Sequence, residues 1–400
     1  MRTARTALAG LVLAAGGAVH ASDATFTDQG LAAIRSLVDG AVREGRIPSA
    51  VAMLARDGGI VWLHTAGEMG PGVPMREDAI LPLASVGKMH TAVAAMILSE
   101  RGVIALDDPV SKYIPEFARL ALETTDAGGV KTRVPPAAPV TIRHLLTHTG
   151  GLTVGGDAFR AAWDAHAGRT TALDLARALA ELPLQSQPGA KYDYGQTGAS
   201  YEVLGAVIEI ASGRTLEAFL QENLFGPLGL SSTHFFPPPE QAALLPASYR
   251  QSGGVLTPVR PFGQAPPRTT FVHGGGGIAS SPQDLARFSR LFLDGGTVDG
   301  VRILWPETVR MMMSDQLGPR TTFPGGLTWG IGAAVRLAPD GTTTQYGWSG
   351  GGYATFIIDT VGRTTSYFAF PLTSPGDNAL LTEFRRLVRE ATRPAAAAGP

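Results

Sequence analysis

Runs of residues that favour β-strands lie near both ends of the chain. Residues 49–67 form two β-rich runs separated by Asp57-Gly58-Gly59, a combination that favours a tight turn between paired strands. Strand-like runs return near the C-terminus at residues 327–337, 342–349, 353–359 and 364–370. The pattern therefore predicts that β-rich segments at both ends of the chain flank a central region of a different structural type.

That middle has helical periodicity, interrupted by loops rich in proline and glycine. Residues 85–101 place Val86, Met89, Val93, Met96 and Ile97 on one side of a predicted helix. Further helices are predicted over residues 141–148, 171–182, 201–212, 281–293 and 378–392. Ser281 and Pro282 have the residue types preferred at the N-cap and first position of a helix.

The simplest packing for this order of elements is a two-lobed domain of the α/β (α+β) class. An antiparallel sheet built from the N- and C-terminal segments is flanked by helices, and a mostly helical lobe is inserted. We predict one domain over 22–392, with a sheet lobe of about 22–104 and 271–392 and a helical lobe of about 105–270. A cleft between two lobes is a common place for a site.

Composition adds few constraints on partners. The chain has 400 residues, of which 44% are hydrophobic and 17% charged, and its formal net charge is −1. This balance does not favour nucleic acid or an anionic membrane as a partner. The absence of cysteine excludes disulfides, thiolate catalysis and cysteine-based zinc sites.

The first 21 residues have the pattern of a secretory signal peptide. Arg2 and Arg5 precede a short apolar run from Thr6 to Val19, and Ala21 ends a stretch of the kind that a signal peptidase cleaves. The apolar run is shorter than the ~20 residues that span a bilayer. We therefore predict a bacterial protein that is exported to the periplasm or secreted. The Ala-rich residues 393–400 are predicted to be disordered.

Ser85 and Lys88 are the first candidates for chemistry. In a helix, residues three apart lie on one face, about 5–6 Å apart at Cβ. A serine hydroxyl is a weak nucleophile until a base takes its proton, and a buried lysine with a lowered pKa can be that base. An N-capping serine followed by a lysine that extends to solvent has the same spacing, so the pair alone does not distinguish a catalytic role from a structural one.

Several further stretches carry a resemblance to a known family. They are residues 81–117, "VTIRHLLTHTGGL" (140–152), "PGAKYDYGQTGASYEVLGAVIEIASG" (188–213), "LFGPLGLSSTHF" (224–235) and "GGGGIASSPQDLARF" (274–288). Over roughly residues 30–390 the chain resembles the serine β-lactamase and penicillin-binding-protein superfamily. Within it, the branch of class C β-lactamases and family VIII esterases is most similar.

The resemblance implies roles for particular residues of the first two motifs. Ser85 matches the serine that becomes acylated, and Lys88 matches its lysine. Tyr194 stands where the family has the tyrosine of its second motif, and Tyr192 fits that position less well. Gln196 stands where an asparagine is expected, and it is our candidate for holding a substrate amide.

The third motif, Lys-Thr-Gly in many relatives, matches Trp348-Ser349-Gly350, which we take as further substrate-binding candidates. The resemblance makes the N–H groups of Ser85 and Gly351 the oxyanion hole. A lysine in this motif would offer a cation to a substrate carboxylate, whereas Trp348 cannot.

The hydrolytic residues are thus present while the features that recognise β-lactams are altered. We predict an exported serine hydrolase that acts through an acyl-enzyme on Ser85, on carboxylic esters, without metal or organic cofactor. One alternative is a β-lactamase or D-Ala-directed peptidase that uses the same residues. Another is a non-catalytic protein of this fold that binds peptidoglycan or peptides. The oligomeric state stays open.

Two other motifs point to different folds or sites. Residues 347–351 also fit G-x-S-x-G, the nucleophile elbow of α/β-hydrolases, but that fold needs a histidine after the serine. The last histidine is His273, so Ser349 lacks that partner. His144 and His148 have the spacing of a zinc helix but lack its glutamate, so hydrogen bonding at a helix end or in a loop is the preferred interpretation.

Overall fold

An antiparallel sheet is the centre of the protein. The computed structural model describes residues 26–318, 326–373 and 376–392. Eight strands of the described chain pair in the order β12 (Leu327–Trp329), β13 (Ala334–Leu337), β14 (Thr343–Gly350), β15 (Ala354–Asp359), β16 (Thr364–Ala369), β1 (Ser49–Arg56), β2 (Gly59–Gly70) and β3 (Val73–Pro74). The last strands of the chain therefore meet the first. The predicted sheet from both terminal segments is confirmed. The predicted signal peptide and C-terminal tail lie outside the described residues.

The strands have the following bounds: β1 Ser49–Arg56, β2 Gly59–Gly70, β3 Val73–Pro74, β4 Leu81–Pro82, β5 Leu122–Thr125, β6 Lys131–Val134, β7 Ser248–Ser252, β8 Val255–Arg260, β9 Ala279–Ser280, β10 Thr297–Val298, β11 Val301–Arg302, β12 Leu327–Trp329, β13 Ala334–Leu337, β14 Thr343–Gly350, β15 Ala354–Asp359 and β16 Thr364–Ala369. The α-helices are α1 Asp28–Arg43, α2 Lys88–Glu100, α3 Ile142–Leu146, α4 Gly156–His166, α5 Ala172–Ala180, α6 Thr197–Ser212, α7 Leu216–Leu220, α8 Gly226–Leu228, α9 Pro282–Leu293, α10 Pro306–Met312 and α11 Asn378–Ala391.

Strand β1 explains why the sheet is covered on both faces. Successive side chains of a strand point to opposite faces. Val51 and Met53 enter the core beneath α2 and α9, whereas Ala52 and Leu54 enter a second core beneath α1 and α11. A nearly continuous apolar run is therefore a central strand between two layers of helices.

The structure has the predicted turn between β1 and β2 and the predicted start of helix α9. Asp57 and Gly58 both have positive φ, 49° and 77°, as the tight turn between β1 and β2 requires. Helix α9 begins at Pro282, and its N-cap Ser281 accepts a hydrogen bond from Asp284 N at 3.2 Å. Both expectations are confirmed.

The chain between β4 and β9 contains most of the remaining helices, together with the hairpins β5–β6 and β7–β8. Helix α6 is its centre, and every residue from Ser200 to Ile208 is buried. Among the helices of the described chain, none is long and apolar enough to cross a membrane. The proposed division into two lobes at residues 104 and 271 stays a prediction.

Candidate active site

The candidate nucleophile lies in a short turn before a buried helix. Ala84–Gly87 form one 3-10 turn, and α2 follows directly from Lys88. The predicted helix therefore begins as an α-helix at Lys88 and not at Ser85. Ala84 has a φ of 47°, a conformation that costs an L-residue about 1–2 kcal/mol. Such strain is typical of functional sites.

Ser85 and Lys88 are in direct contact. Lys88 is 2% exposed, and its Nζ lies 2.9 Å from Ser85 Oγ. As an ammonium, it donates to Ser85 Oγ and to the carbonyl oxygen of Gly275. Burial lowers the pKa of Lys88 to about 7, because desolvation penalises the charged form, while Glu202 opposes this shift. Near neutral pH a large fraction of Lys88 is a neutral amine that can accept the serine proton.

A glycine loop over residues 274–277 packs between α6 and the turn that carries Ser85. A side chain at Gly274 would come within 2.3 Å of the Tyr201 carbonyl oxygen. One at Gly276 would come within 3.1 Å of the backbone of Ala84. Real Cβ atoms do not make the first of these contacts, so glycine is needed for the loop to approach both neighbours.

The loop is held by hydrogen bonds from two helices. Glu202, on α6, accepts from Gly274 N at 3.0 Å and from Gly275 N at 3.2 Å. Thr91, on α2, donates through Oγ1 to the carbonyl oxygen of Gly274 at 2.8 Å. The backbone that contacts Lys88 is therefore fixed on both of its edges.

The end of β14 lies against the nucleophile turn. A side chain at Gly350 would approach Ser85 N at 2.4 Å, so this position must be glycine for the strand to pack there. Gly350 therefore packs against the backbone of Ser85, and its role as a substrate contact stays a prediction. Gly351 lines the same cleft as Ser85. The two backbone groups predicted to form the oxyanion hole are thus neighbours.

Tyr194 lies beside Lys88 in a cluster of aromatic rings. Its ring centroid is 5.9 Å from Lys88 Nζ. The indole Nε1 of Trp348 donates to the Tyr194 hydroxyl oxygen at 2.6 Å. The Trp348 ring centroid also lies 4.8 Å from those of Tyr194 and Trp329. Trp348 therefore contacts Tyr194 directly, and its predicted contact with substrate stays a prediction.

The structure corrects the prediction that Ser349 binds substrate. Ser349 pairs with Thr355 on β15, and its Oγ donates to Thr355 Oγ1 at 2.8 Å. It also accepts from Arg385 Nη1, on α11, at 3.1 Å. Because α11 covers the sheet face opposite to α2 and α9, the Ser349 side chain points away from Ser85. Residues 347–351 end a strand that turns into β15, which also excludes a nucleophile elbow.

The two histidines with zinc-helix spacing have separate environments. Helix α3 ends at Leu146, so His148 lies beyond it. His144 accepts from Thr141 N through Nδ1 at 3.1 Å, as part of the N-terminal cap of α3. The His148 ring lies 5.1 Å from Tyr194 and 5.0 Å from Trp329 in the aromatic cluster. The preferred interpretation holds for His144, whereas His148 packs against aromatic rings.

Gln196 ends a short helical turn that begins at Tyr194. Its side chain lies outside the described part of the structure, so its role toward a substrate amide stays a prediction.

The cleft around Ser85 has a volume of about 330 Å³. It is open on one side, and two aromatic residues, Trp163 and Tyr353, contribute to its walls. The other described residues that line it are Ala84, Ser85, Lys88, Glu202, His273, Gly275, Gly276, Gly277 and Gly351. Lys88 is the only lysine or arginine among these described residues. Apart from Lys88, the described part of the lining offers no lysine or arginine to an anionic substrate.

Sequence reasoning missed Glu202. It lies 2% exposed in a helix whose neighbours are apolar, next to Tyr201, and it contacts the glycine loop. The signal was the same as for Lys88: a charged residue inside a segment that is otherwise built to be buried. Trp163 was also missed, because nothing local indicates that α4 reaches the cleft.

Comparisons with known proteins identify the family of this chain. The model of the Beta-lactamase family matches residues 34–388. Protein Rv1367c of Mycobacterium tuberculosis is 32% identical over 344 residues, which are 82% of this chain and 83% of that protein. Esterase EstB of Burkholderia gladioli is 32% identical over 343 residues, 77% of this chain and 80% of that esterase.

A solved structure shows the same fold. EstCE1, described as a hydrolase with promiscuous acyltransferase activity, superposes with a TM-score of 0.71 at 25% identity. The match covers 91% of this chain and 98% of EstCE1. With a family match across most of its length, this chain is a serine hydrolase that belongs to the beta-lactamase family.

Proposed function

We propose that the protein hydrolyses carboxylic esters through an acyl-enzyme formed on Ser85. The observation that carries the proposal is the 2.9 Å contact between Ser85 Oγ and the buried Lys88 Nζ. An unactivated serine does not attack an ester at a useful rate, and a base within hydrogen-bond reach supplies the activation.

The reaction starts when neutral Lys88 removes the Ser85 proton as Oγ attacks the ester carbonyl carbon. The negative charge that develops on the carbonyl oxygen is stabilised by the N–H groups of Ser85 and Gly351. Such donors are effective because the fold holds them in position before the substrate binds. Collapse of the tetrahedral intermediate breaks the bond to the alcohol, which leaves with a proton from Lys88. Water then attacks the acyl-enzyme in the same way and releases the carboxylic acid.

Tyr194 is the second group that moves protons in this proposal. Trp348 donates to its hydroxyl oxygen at 2.6 Å, and a donor at that oxygen stabilises the phenolate. The Tyr194 hydroxyl proton is then directed to another acceptor. Lys88 and Tyr194 can therefore share the transfer to the departing alcohol.

The lining of the cleft supports neutral, apolar substrates. Trp163 and Tyr353 offer ring surfaces, and aromatic side chains contribute large apolar contact areas. Glu202 places a negative charge near the base of the cleft, where a substrate carboxylate would be repelled. Trp348 stands where many relatives of this kind have a cation. An esterase, EstB, is among the similar proteins.

A panel of chromogenic substrates tests the proposal. We expect p-nitrophenyl butyrate to be hydrolysed with a kcat/KM about 10- to 100-fold higher than p-nitrophenyl hemisuccinate. The two esters differ chiefly by a terminal carboxylate, and an unpaired charge near the site costs about 1.5–3 kcal/mol. The chromogenic cephalosporin nitrocefin, which also has a carboxylate, should be the poorer substrate. Faster turnover of nitrocefin would favour the β-lactamase alternative, and no turnover or adduct would favour a binding protein.

Replacing Trp348 tests its contact with Tyr194. Trp348→Phe keeps most of the ring packing but removes the N–H donor. We expect kcat to fall about tenfold, the value of one strong hydrogen bond, while KM changes little because phenylalanine keeps an aromatic ring at this position. Trp305→Phe is the matched control, since Trp305 is 48% exposed on the surface. A rise in KM that varies with the acyl group would instead show a substrate contact.

Export is part of the same proposal, and it is supported by the first 21 residues alone. Their charged start, apolar run and small residues before position 22 have the pattern of a cleaved signal peptide.

A further inference from the structure

Glu202 is a carboxylate buried beneath the glycine loop, with no place in the steps described so far. It is 2% exposed, on a helix that is otherwise apolar around it. Burying a carboxylate costs several kcal/mol unless hydrogen bonds and opposite charges compensate it. The N–H groups of Gly274 and Gly275 supply two such bonds, at 3.0 and 3.2 Å.

Gly275 connects this carboxylate to the general base. Its N–H donates to Glu202 Oε1 at 3.2 Å, and its carbonyl oxygen accepts from Lys88 Nζ. A carbon added at its Cβ position would lie 2.9 Å from Glu202 Oε1 and 3.6 Å from Lys88 Nζ. The two charged groups are thus neighbours of one residue, and only a glycine leaves room between them.

On the basis of the proposed function, we propose that Glu202 is a positioning residue for the general base. It holds the loop so that the Gly275 carbonyl oxygen keeps Lys88 Nζ against Ser85 Oγ, and its negative charge stabilises the protonated form of Lys88.

The negative charge of Glu202 can assist a proton transfer in the catalytic cycle. Lys88 becomes an ammonium each time it takes the proton of Ser85 and returns to the amine when the alcohol leaves with that proton. In a buried site an unpaired ammonium is strongly disfavoured. A fixed carboxylate nearby reduces this penalty and makes the first proton transfer easier. It does so at the expense of the fraction of Lys88 that is neutral in the resting enzyme.

Other titratable groups around this pair do not replace Glu202. The rings of Tyr194 and Tyr201 lie 5.9 and 5.6 Å from Lys88 Nζ. Burial and the charge of Lys88 hold the pKa of His148 well below its ordinary value, so His148 stays neutral. His273 faces Glu202 from the loop, with Nδ1 3.6 Å from Oε1. Glu202 is therefore the anionic side chain that faces Lys88 among the described residues lining the cleft.

The test is the pH dependence of kcat/KM for p-nitrophenyl butyrate in Glu202→Gln. Removal of a nearby opposite charge lowers the pKa of an ammonium by about one unit or more. We expect the acidic limb of the profile to move to lower pH by that amount, so that at acidic pH the rate relative to the plateau rises about tenfold. Glu202→Asp draws the carboxylate back by one methylene and should give a smaller shift in the same direction.

Glu209→Gln is the matched control. Glu209 lies on the same helix, is partly buried and accepts one backbone bond, from Leu216 N at 3.0 Å, but it does not contact the glycine loop. The acidic limb of the Glu209→Gln profile should coincide with that of the unmodified protein. The position of the limb does not depend on the amount of folded enzyme, so a loss of stability in the variants does not obscure it.

An acidic limb that stays in place in Glu202→Gln and Glu202→Asp, with lower plateau rates and lower melting temperatures, would overturn the inference and leave Glu202 a structural residue. Failure of the proposed function is different. It would be shown by the unmodified protein, either as no ester turnover or as an acidic limb that does not depend on Lys88.

Discussion

Replacing Ser85 with alanine is expected to reduce ester hydrolysis by about 10⁴-fold or more, because the acyl-enzyme can no longer form. The contact of Ser85 Oγ with Lys88 Nζ at 2.9 Å makes it the activated hydroxyl of the cleft. A fluorophosphonate probe should label the peptide that contains Ser85, as detected by mass spectrometry, and should not label the Ser85→Ala protein.

Ser349→Ala is the control, since Ser349 is the other serine that a motif suggested as nucleophile. Its hydroxyl is bonded to Thr355 and Arg385 on the far face of the sheet. We expect hydrolysis to stay within a few-fold of the unmodified rate. Stability should fall by about 0.5–1.5 kcal/mol, the value of a typical hydrogen bond. A label on Ser349, or full activity without Ser85, would contradict the assignment.

Lys88→Arg is expected to lower kcat/KM by about 10²–10⁴-fold, the usual contribution of a positioned general base. A guanidinium stays protonated at every pH of interest and cannot accept the Ser85 proton. Lys112→Arg is a matched control, because Lys112 is an exposed lysine that pairs with Asp108 on the surface. Near-normal rates in Lys88→Arg would show that Lys88 is only structural.

The pH dependence of ester hydrolysis by the unmodified enzyme should report the titration of Lys88. Burial lowers the pKa of Lys88 to about 7, and the reactive form is the neutral amine. Activity should therefore be low well below pH 7, rise through an apparent pKa near that value and reach a plateau above it. A limb near the ~10.4 of a free lysine would mean that Lys88 is not desolvated in solution.

The position of Ser349 shows what a linear motif leaves open. Residues 348, 349 and 350 match a three-residue motif, and all three were expected at the site. In a strand, consecutive side chains point to opposite faces, so Trp348 and Ser349 cannot share one environment. Packing decides which face meets the cleft. Phe356, the partner of Trp348, is buried in the core shared with α2, whereas Thr355 directs Ser349 toward α11.

Trp348 shows the same limit at longer range. Its sequence position indicated a lost cation and a possible contact with substrate. Its hydrogen bond to Tyr194 joins residues 154 positions apart, and it forms because β14 and the turn at Tyr194 pack side by side. Propensity and periodicity carry no information about such a pairing.

The sequence by itself determined those features of this protein that depend on neighbours within a few residues. Runs of β-favouring residues placed the strands, and Asp57-Gly58 specified the turn between β1 and β2. The three-residue spacing of Ser85 and Lys88 brought the nucleophile and its base together, because short separations leave the backbone few alternatives.

Only the tertiary structure decided how distant segments complete the site. Glu202 reaches Gly275 across 73 positions, and Lys88 reaches the same glycine across 187. These contacts depend on the packing of α6 and α2 on either side of one loop, where the four glycines allow a close approach. Packing of this kind is a property of the whole core. It also sets the desolvation that lowers the pKa of Lys88, so the base becomes active only once the protein has folded around it.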